Sequence, residues 1–474
     1  MRAPLIKDKS MNKQLNPVAM PGTSQFRAIA DFTLDQSVEI PEVELLHAST
    51  LLVDTLGVAA GAAVLAAGSI ARDFAADFYP AGSDFNSARM LFDGRKVSLP
   101  GAAWALATQI DNLDGHDGFN PVKGHIGCAV VPSLFAFGER HPDISALEAL
   151  RTLAISYEIA ARAGMSLHAT VSDYHTSGAW NALGVAAMGC RLEGADDAQL
   201  RHAIGIAEYH GPRSQMMREI DNPTMLHDGS GMGAFIGCTS ALLAMRGFTG
   251  APAITAEAAE VADFWEDLGR RWTVSENYIK PYPSCRWGHA AIDALRKLMS
   301  QGVTAENVEH VEVRTFDEAA RLFAGVPETT TQAQYSLNFV MAVMLKHGFI
   351  GPSHVAGEGL EDPDVMKLIP KISAVSSERH NARFPEGRWS DVEVCLKDGR
   401  RLSSGDVDAS GGPGAWRPDS DVEEKFHVFC DGVLSESRIK AIWAMRDKML
   451  DPATRLEELA SLASQPADIP AASR

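Results

Sequence analysis

Residues 111–127 combine titratable side chains and glycines at a density that points to chemistry. The stretch, DNLDGHDGFNPVKGHIG, holds three aspartates, two histidines, one lysine and four glycines, and the apolar run CAVVPSLFAF follows it directly. Asp and His together could hold a metal ion, but their spacing matches neither an EF-hand loop nor H-E-x-x-H. An acid/base site for a small anion would use the same residues and the lysine as well. The third interpretation is a polar loop whose Asx side chains cap the following helix.

Two further segments place a histidine beside small polar residues and glycine. In SDYHTSG, at residues 172–178, His175 precedes an Ala-rich helix whose amino-terminal end would favour a carboxylate. In PTMLHDGSGMG, at residues 223–233, His227 and Asp228 are candidate pocket residues. The glycines there do not follow the order G-x-G-x-x-G and no predicted strand precedes them, so a nucleotide site is not indicated.

A fourth segment, KPYPSCRWGH at residues 280–289, gathers three potential cations. Its two prolines predict an extended loop that carries Lys280, Arg286 and His289. Cys285 lies among them, but no nearby residue marks a base that would activate its thiol. The segment therefore predicts a binding surface for an anion rather than a nucleophile.

The overall charge limits the partners that such a site could have. The 474 residues include 43 lysines and arginines against 61 aspartates and glutamates, which gives a formal net charge of −18. Nucleic acids and anionic membrane surfaces bind basic faces, so neither is an expected partner of this chain. A site for an anionic substrate must therefore collect its cations locally.

Cysteine usage and the amino-terminal residues indicate the compartment. The six cysteines are scattered without a C-x-x-C pair, which is typical of reduced and buried thiols. The sequence does not open on the unbroken apolar region of a secretory signal. No apolar run reaches about 18 residues without the Gly or polar interruptions that are typical of a core helix, so no membrane span is predicted. We therefore predict a cytoplasmic protein without a transmembrane segment.

The hydrophobic periodicity changes character along the chain. The segment Ile40–Ala67 is rich in Ala and Leu, and Asp143–Ala163 has apolar residues at three- and four-residue spacings. Both patterns predict helices. Asn307–Thr315 alternates in the manner of a strand, and Trp389–Ser403 consists of two alternating runs around Asp-Gly, which predicts a hairpin. Gln332–His347 lies between them and has a helical pattern.

These patterns divide the chain into a large helical part and a smaller α/β part, as expected for a chain too long for one core. After 405 the pattern returns to helix at residues 421–451. The predicted ranges are a flexible arm at 1–25, a helical domain at 26–270 that is completed by 406–460, an α/β domain at 271–405, and a disordered tail at 461–474.

The segments described above, in their order along the chain, resemble the MmgE/PrpD family from Phe32 to Asp451. Members of that family include 2-methylcitrate dehydratase, cis-aconitate decarboxylase and iminodisuccinate epimerase. The motifs that carry the resemblance are DTLGVAAGA at 54–62, the Asp-rich loop that ends in Gly-His125, YHTSGAWNALGVAAM at 174–188, LLAMRGFTGAP at 242–252, KPYPSCRWGHAAIDA at 280–294 and AQYSLNFVMAVML at 333–345.

The resemblance implies a fold that is mainly α with a smaller α+β domain. A large all-helical domain would be built from both chain ends, with an α/β lid domain inserted between them, and the chain would form homodimers. It also implies chemistry on small di- and tricarboxylates without a cofactor or a metal. The periodicities of this sequence agree with that division into a helical and an α/β part.

The resemblance also assigns roles to individual residues. Asp114, His125 and His175 match active-site positions, and we predict that the two histidines form an acid/base pair with Asp114 orienting one of them. Six residues are predicted to bind the substrate, most of them as a cationic lining: Lys123, His227, Lys280, Arg286, His289 and Tyr335.

The sequence departs from the family's pattern at four positions. Gly118 and Asn120 stand where the decarboxylase-like loop has threonine and histidine. Thr224 stands where dehydratases and decarboxylases have lysine, and Phe339 replaces a tyrosine. These changes weigh against a cis-aconitate decarboxylase in particular and leave the proton-transfer residues in place.

The residues and the resemblance together predict proton transfer at a carbon next to a carboxylate. Such a reaction needs a base with a pKa near neutrality and donors that stabilise the developing enediolate charge. Loss of a β-hydroxyl group gives a hydro-lyase of the 2-methylcitrate dehydratase type, which we favour. Reprotonation on the opposite face gives an isomerase of the iminodisuccinate epimerase type, the main alternative. A decarboxylase and a metal-binding or non-enzymatic protein complete the alternatives.

Overall fold

The computed structural model describes residues 23–412 and 419–468, and helices dominate both ranges. The predicted flexible arm falls outside the described residues up to residue 22, as does the predicted tail from residue 469. The α-helices of the described ranges are α1 (Ser24–Leu34), α2 (Glu42–Ala62), α3 (Ala66–Phe78), α4 (Leu99–Asp111), α5 (Gly127–Gly138), α6 (Ala146–Thr170), α7 (Gly178–Glu193), α8 (Asp197–His210), α9 (Met217–Asp221), α10 (Ser230–Ala244), α11 (Ile254–Glu257), α12 (His289–Met299), α13 (Asp317–Ala320), α14 (Thr330–Gln334), α15 (Leu337–His347), α16 (Pro363–Leu368), α17 (Glu378–Asn381), α18 (Asp419–Cys430), α19 (Glu436–Lys448) and α20 (Leu456–Ala463).

Helices from the carboxyl-terminal end of the chain pack against helix α2 of the helical part. Helix α2 is long and apolar enough to cross a membrane, but 89% of its most apolar stretch is buried in the protein, as in a core helix. The Ser49 hydroxyl donates to the carbonyl of Arg446 in α19 at 2.6 Å. Asp54 forms a buried ion pair with Lys425 of α18 at 2.7 Å. Both ends of the described chain therefore contribute to one helical core.

Glycines allow α6, α7 and α10 to approach each other closely. A Cβ atom on Gly184 of α7 would lie 2.5 Å from the carbonyl oxygen of Ser156 and 2.8 Å from the Cβ of Ala160, both in α6. On α10, a Cβ atom on Gly237 would lie 2.6 Å from the carbonyl oxygen of Ala182. Real Cβ atoms do not approach backbone oxygens so closely, so the helix spacing here requires glycine.

We expect Gly184→Ala to lower the free energy of unfolding. The methyl group forces the α6 backbone to shift, and overpacking of this kind costs about 1–3 kcal/mol. Alanine recovers at most about 1 kcal/mol of that through its higher helix propensity. Urea unfolding followed by tryptophan fluorescence measures the difference.

Gly82→Ala is the matched control, because a Cβ atom on Gly82 would meet nothing within 4 Å. At such a position alanine restricts the unfolded chain, so the control should be neutral or stabilising by up to about 1 kcal/mol. Equal midpoints for both variants would contradict the close approach of α6 and α7.

The smaller α/β part contains the largest sheet of the described ranges, with five strands. Its order is β6-β5-β7-β8, with β9 also paired to β7. The β5–β6 pair is parallel and the other pairs are antiparallel. The strands are β5 (Val308–Thr315), β6 (Ile372–Ser376), β7 (Trp389–Leu396), β8 (Arg401–Ser403) and β9 (Val407–Asp408), and four short strands precede them, β1 (Ser87–Arg89), β2 (Lys96–Ser98), β3 (Gly118–Phe119) and β4 (Asn277–Tyr278).

A small antiparallel pair joins two distant segments that carry the titratable residues. In this pair Gly118 of β3 lies opposite Tyr278 of β4, and Phe119 lies opposite Asn277. The pairing brings the Asp-rich loop of residues 111–127 against the segment that begins at Lys280. This short bridge between residues far apart in sequence therefore sets the geometry of the site.

The prediction of a mainly α fold with a smaller α+β part is confirmed, while several helix boundaries differ. The helix predicted at Ile40–Ala67 ends at Ala62. The helix predicted at Gln332–His347 is two helices, because the Ser336 hydroxyl accepts a hydrogen bond from the Phe339 backbone at 3.3 Å and starts α15 there. The long helix predicted at residues 421–451 is likewise divided into α18 and α19.

Candidate active site

A small cavity lies where the Asp-rich loop meets the α/β part. Its free volume is about 30 Å³, which leaves room for about two water molecules. A tri- or dicarboxylate would therefore enter only if the walls separate. The cavity is lined by Asp114, Lys123, His125, Met216, Glu219, Ile220, Asp228, Tyr278, Lys280, Cys285, Arg286, Trp287, Tyr335 and Arg388.

His125 is held by its backbone N–H and by Nδ1 of its ring. Its Nδ1 lies 2.6 Å from the carbonyl oxygen of Asp117, a geometry in which Nδ1–H donates. Its Nε2 lies 3.3 Å from Oδ2 of Asp228. Ser177 links the two residues, because its hydroxyl accepts from the His125 backbone N–H at 2.9 Å and donates to Asp228 Oδ1 at 2.6 Å. The ring is therefore fixed with Nε2 beside a carboxylate.

Two opposing influences act on the basicity of His125. Burial and the nearby ammonium of Lys280 lower its pKa below the ordinary 6.5, while the carboxylate of Asp228 acts in the opposite direction. The net direction is downward, so the neutral imidazole prevails at neutral pH. Proton uptake at Nε2 would then create a cation next to Asp228.

His116 lies behind His125, fully buried, with the two rings edge to face at a centroid distance of 4.4 Å. Its Nε2 lies 3.6 Å from Oδ1 of Asp111, outside hydrogen-bond distance. Burial and the neighbouring His125 lower the pKa of His116 well below 6.5. Asp111 in turn accepts from the Ser230 backbone N–H at 3.1 Å, which ties the loop to the start of α10. His116 is thus a neutral packing partner of His125.

Asp114 and Lys280 form a buried ion pair in the cavity wall. The Lys280 ammonium contacts Asp114 Oδ1 and also donates to the Asp114 backbone carbonyl at 3.2 Å. Burial alone would disfavour the charged lysine, but the Asp114 carboxylate raises the pKa of Lys280 above its ordinary value. Asp114 has a φ of 54°, a left-handed conformation that is uncommon for a non-glycine residue. The pair therefore joins this turn of the loop to the segment that begins at Lys280.

Three further cations line the cavity. The Arg286 guanidinium donates to the backbone carbonyls of Ser410 and Ala409 at 2.6 and 3.0 Å, and it lies 4.3 Å from the centre of the Tyr278 ring. Arg388 donates one hydrogen bond to the Pro385 carbonyl, and its buried Nε finds no partner among the described residues. Burial lowers the pKa of Lys123 to about 8. These groups can still donate to an anion.

An acid and a phenol face the cavity from another side. The Tyr335 hydroxyl donates to Glu219 Oε1 at 3.3 Å. His227 packs edge to face against the Tyr335 ring at 5.8 Å, and its Nε2 lies 3.5 Å from the Thr331 hydroxyl. His227 also has a positive φ, 42°. The ring of His227 does not line the cavity, so its contact supports the Tyr335 ring from outside the cavity.

The structure brings six of the nine predicted site residues to one cavity: Asp114, Lys123, His125, Lys280, Arg286 and Tyr335. The imidazoles of His175, His227 and His289 do not line it. His175 lies in an extended segment, with Nε2 3.8 Å from Asp173 and its backbone N–H 3.1 Å from His168 Nε2. His289 starts α12, and its Nε2 lies 3.0 Å from the Ser284 carbonyl, so it organises the preceding loop.

Two charged residues of the cavity have no role in the sequence analysis, Glu219 and Arg388. Glu219 belongs to the short polar segment MMREIDN, and Arg388 belongs to FPEGRWS just before β7. Neither segment has a motif with recognisable spacing. The only sequence signal concerns Glu219, which lies a few residues before PTMLHDGSGMG.

A metal ion would have to compete with the lysine in this loop. Lys280 already neutralises Asp114, and burial with His125 next to it disfavours a further positive charge near His116. Around this loop, two groups of potential ligand atoms lie within 4.8 Å of one another: Asp111, His116 and Cys128, and Asp114, His116 and His125. The donor set fits an acid/base site better than a cation site.

Comparison with models of protein families gives two matches. The model described as MmgE/PrpD N-terminal domain matches residues 27–267, and the model described as MmgE/PrpD C-terminal domain matches residues 282–450. The segment that carries β4 and Lys280 lies between the two matched regions. The residues that line the cavity come from both matched regions and from this segment. No curated protein matches the chain.

Proposed function

The chain belongs to the MmgE/PrpD family, whose enzymes include dehydratases, decarboxylases and epimerases, and from this premise we propose that it is a hydro-lyase of the 2-methylcitrate dehydratase type. It acts on a small di- or tricarboxylate and removes a β-hydroxyl group by proton transfer. The observation that carries the proposal is the buried His125, which lines the cavity and whose Nε2 lies 3.3 Å from Asp228.

His125 is the base in this proposal. Its Nδ1–H is committed to the Asp117 carbonyl, so Nε2 is the nitrogen that is free to take a proton from carbon. The imidazolium that forms is stabilised by the Asp228 carboxylate at 3.3 Å. A positioned base of this kind contributes about 10²- to 10⁴-fold to the rate. The sequence predicts His175 as its acid/base partner.

The cationic wall receives the carboxylates of the substrate. Lys123, Arg286 and Arg388 line the cavity together, in a protein whose net charge of −18 would otherwise repel the substrate. Negative charge that develops on the carboxylate during proton removal would be stabilised by these donors, typically by about 3–4 kcal/mol for one well-placed donor. No cofactor or metal takes part in the proposed reaction.

Three further features belong to the proposal. The α/β part acts as a lid, because a cavity of about 30 Å³ cannot admit a tricarboxylate unless its walls move apart. The enzyme works as a homodimer, as the resemblance implies. It is cytoplasmic and binds neither nucleic acid nor membranes, in line with its acidic charge.

Proton NMR in D₂O with 2-methylcitrate, citrate, cis-aconitate and iminodisuccinate tests the function. We expect alkene signals from a hydroxycarboxylate, or the hydrated product from the alkene, unchanged when a chelator is added. Loss of activity in the chelator would support the metal-binding alternative. Elimination of none of the hydroxycarboxylates would overturn the dehydratase proposal.

An epimerase of the iminodisuccinate type is the second candidate. The observation that favours it is Thr224, which stands where the dehydratases have lysine and which is exposed rather than part of the cavity wall. In the same experiment an epimerase would introduce deuterium at the α-carbon without net elimination. The two functions therefore give different spectra from one measurement.

A further inference from the structure

We propose that Glu219, which lines the same cavity as the base His125, is the acid that protonates the departing hydroxyl group. The inference rests on the proposed hydro-lyase function and adds a residue to it. It gives the leaving oxygen a proton source that neither the sequence motifs nor the family match assigns.

The position of Glu219 supports this role. The residue lies in α9 and lines the same cavity as His125 and the cationic residues. Its Oε1 accepts from the Tyr335 hydroxyl at 3.3 Å, while its Oε2 is buried and has no hydrogen-bond partner among the described residues. A buried polar atom is normally paired. A hydroxyl group of the substrate would provide the missing partner.

Burial and the surrounding acids favour the neutral form of the Glu219 carboxyl group. The groups that act on it from the neighbouring segments are Asp228, Asp111 and Asp114, all acids, together with the Tyr335 hydroxyl. Burial, followed by repulsion from these carboxylates, raises the pKa of Glu219 well above 4.5. Lys280, the cation of the adjacent wall, is committed to Asp114. A neutral carboxyl group is a hydrogen-bond donor and a proton source.

The step balances with the two residues alone. His125 Nε2 takes the proton from the carbon next to the carboxylate, and the electron pair of that C–H bond forms the C=C bond. The C–O bond to the β-hydroxyl breaks, and the oxygen takes the carboxyl proton of Glu219 and leaves as water. Glu219 is then a carboxylate and His125 an imidazolium, and proton exchange with water restores both.

The test compares Glu219→Gln with Asp221→Asn, a change on the same short helix at an exposed residue whose ion-pair partner is Arg321 on the surface. Both variants are incubated in D₂O with citrate and 2-methylcitrate, and elimination and α-deuterium incorporation are measured separately. We expect Glu219→Gln to lose elimination by about 10²-fold or more and to keep α-deuterium exchange within a few-fold of the wild type. Asp221→Asn should match the wild type in both.

A rescue experiment separates an acid from a merely structural residue. Fluoride needs less help from an acid to depart than hydroxide does, so Glu219→Gln should eliminate fluoride from the analogue with fluorine in place of the hydroxyl at close to the wild-type rate. This result would also show that the variant is folded and that its base is intact. The wild-type elimination rate should fall as the pH rises through the pKa of Glu219, and this basic limb should disappear in Glu219→Gln.

Several outcomes would overturn the assignment. One is equal loss of exchange and elimination in Glu219→Gln without rescue by fluoride, and another is wild-type elimination in that variant. A third is exchange without elimination in His175→Asn, which would give the role to His175. If the wild type exchanges deuterium but eliminates neither substrate, both the hydro-lyase function and the assignment of Glu219 are wrong. If the wild type eliminates normally and Glu219→Gln eliminates at the same rate, only the assignment is wrong.

Discussion

Replacing His125 with asparagine should lower kcat/KM for the carboxylate that is turned over by about 10²- to 10⁴-fold, with most of the loss in kcat. Asparagine can still donate towards the Asp117 carbonyl, but it offers no basic nitrogen beside Asp228. The carboxylate-binding cations remain, so KM should change little. Steady-state rates of alkene formation measure the effect.

The pH dependence of the wild type carries the same prediction. The base acts as the neutral imidazole, and burial with Lys280 holds the pKa of His125 below 6.5. Therefore kcat/KM should rise with pH through a pKa below 6.5. This rise should be complete at neutral pH. Because the Asp228 carboxylate raises the pKa of His125, Asp228→Asn should move this acid limb to still lower pH. An acid limb above 6.5 would contradict the assignment.

Two histidine variants serve as comparisons for His125→Asn. His310→Asn is the control, because His310 is an exposed residue of the sheet whose ring forms a hydrogen bond with the Ser373 hydroxyl. It should keep full activity. His175→Asn tests the predicted second histidine. A loss equal to that of His125→Asn would show that the segment around residue 175 moves into the cavity during turnover.

Replacing Lys280 with methionine should lower the free energy of unfolding by about 3–5 kcal/mol, because it leaves Asp114 charged and buried without its partner. The side chains of the pair are only 1% and 4% exposed, for Lys280 and Asp114 respectively. Asp114 belongs to the same loop as His125. Destabilising this loop should therefore lower activity as well. Urea unfolding followed by fluorescence, with activity measured alongside, tests both effects.

The double variant Lys280→Met/Asp114→Asn separates the pair from the rest of the wall. It removes the uncompensated charge, so it should be clearly more stable than Lys280→Met alone, while activity stays low. Lys367→Met is the matched surface control. Its ion pair with Asp364 is exposed, and such pairs contribute about 0–1 kcal/mol. A loss below about 1 kcal/mol in Lys280→Met would contradict the importance of the buried pair.

Local sequence patterns predicted the regular elements because periodicity is a local property. The alternation at residues 307–315 became β5, and the two alternating runs around Asp398-Gly399 became the β7–β8 hairpin. Where a helix prediction was too long, a local feature interrupts it, as at Ser336, whose hydroxyl starts a new helix. Capping of this kind is visible in the sequence only as one more serine among many.

The site was predicted where residues of matching chemistry are close together in sequence. The loop at residues 111–127 and the segment from Lys280 onward both face the cavity, and the Asp114–Lys280 pair joins them. His289 has the same chemistry as a site residue, but it starts α12 and its ring lies against the Ser284 carbonyl. The direction of a side chain depends on the turn of its backbone, which composition does not reveal.

The sequence by itself determined the family and the mainly helical fold with its smaller α/β part, and it predicted the chemical character of the candidate site, since all three depend on residue types, their order and their periodicity. Only the tertiary structure decided which groups share a cavity. Glu219 and Arg388 reach it from segments without a motif, and the two-residue pairing of β3 with β4 that aligns the walls is too short to produce a pattern. Long-range contacts of this kind are selected by the packing of the whole core, and for that reason they leave no local signal.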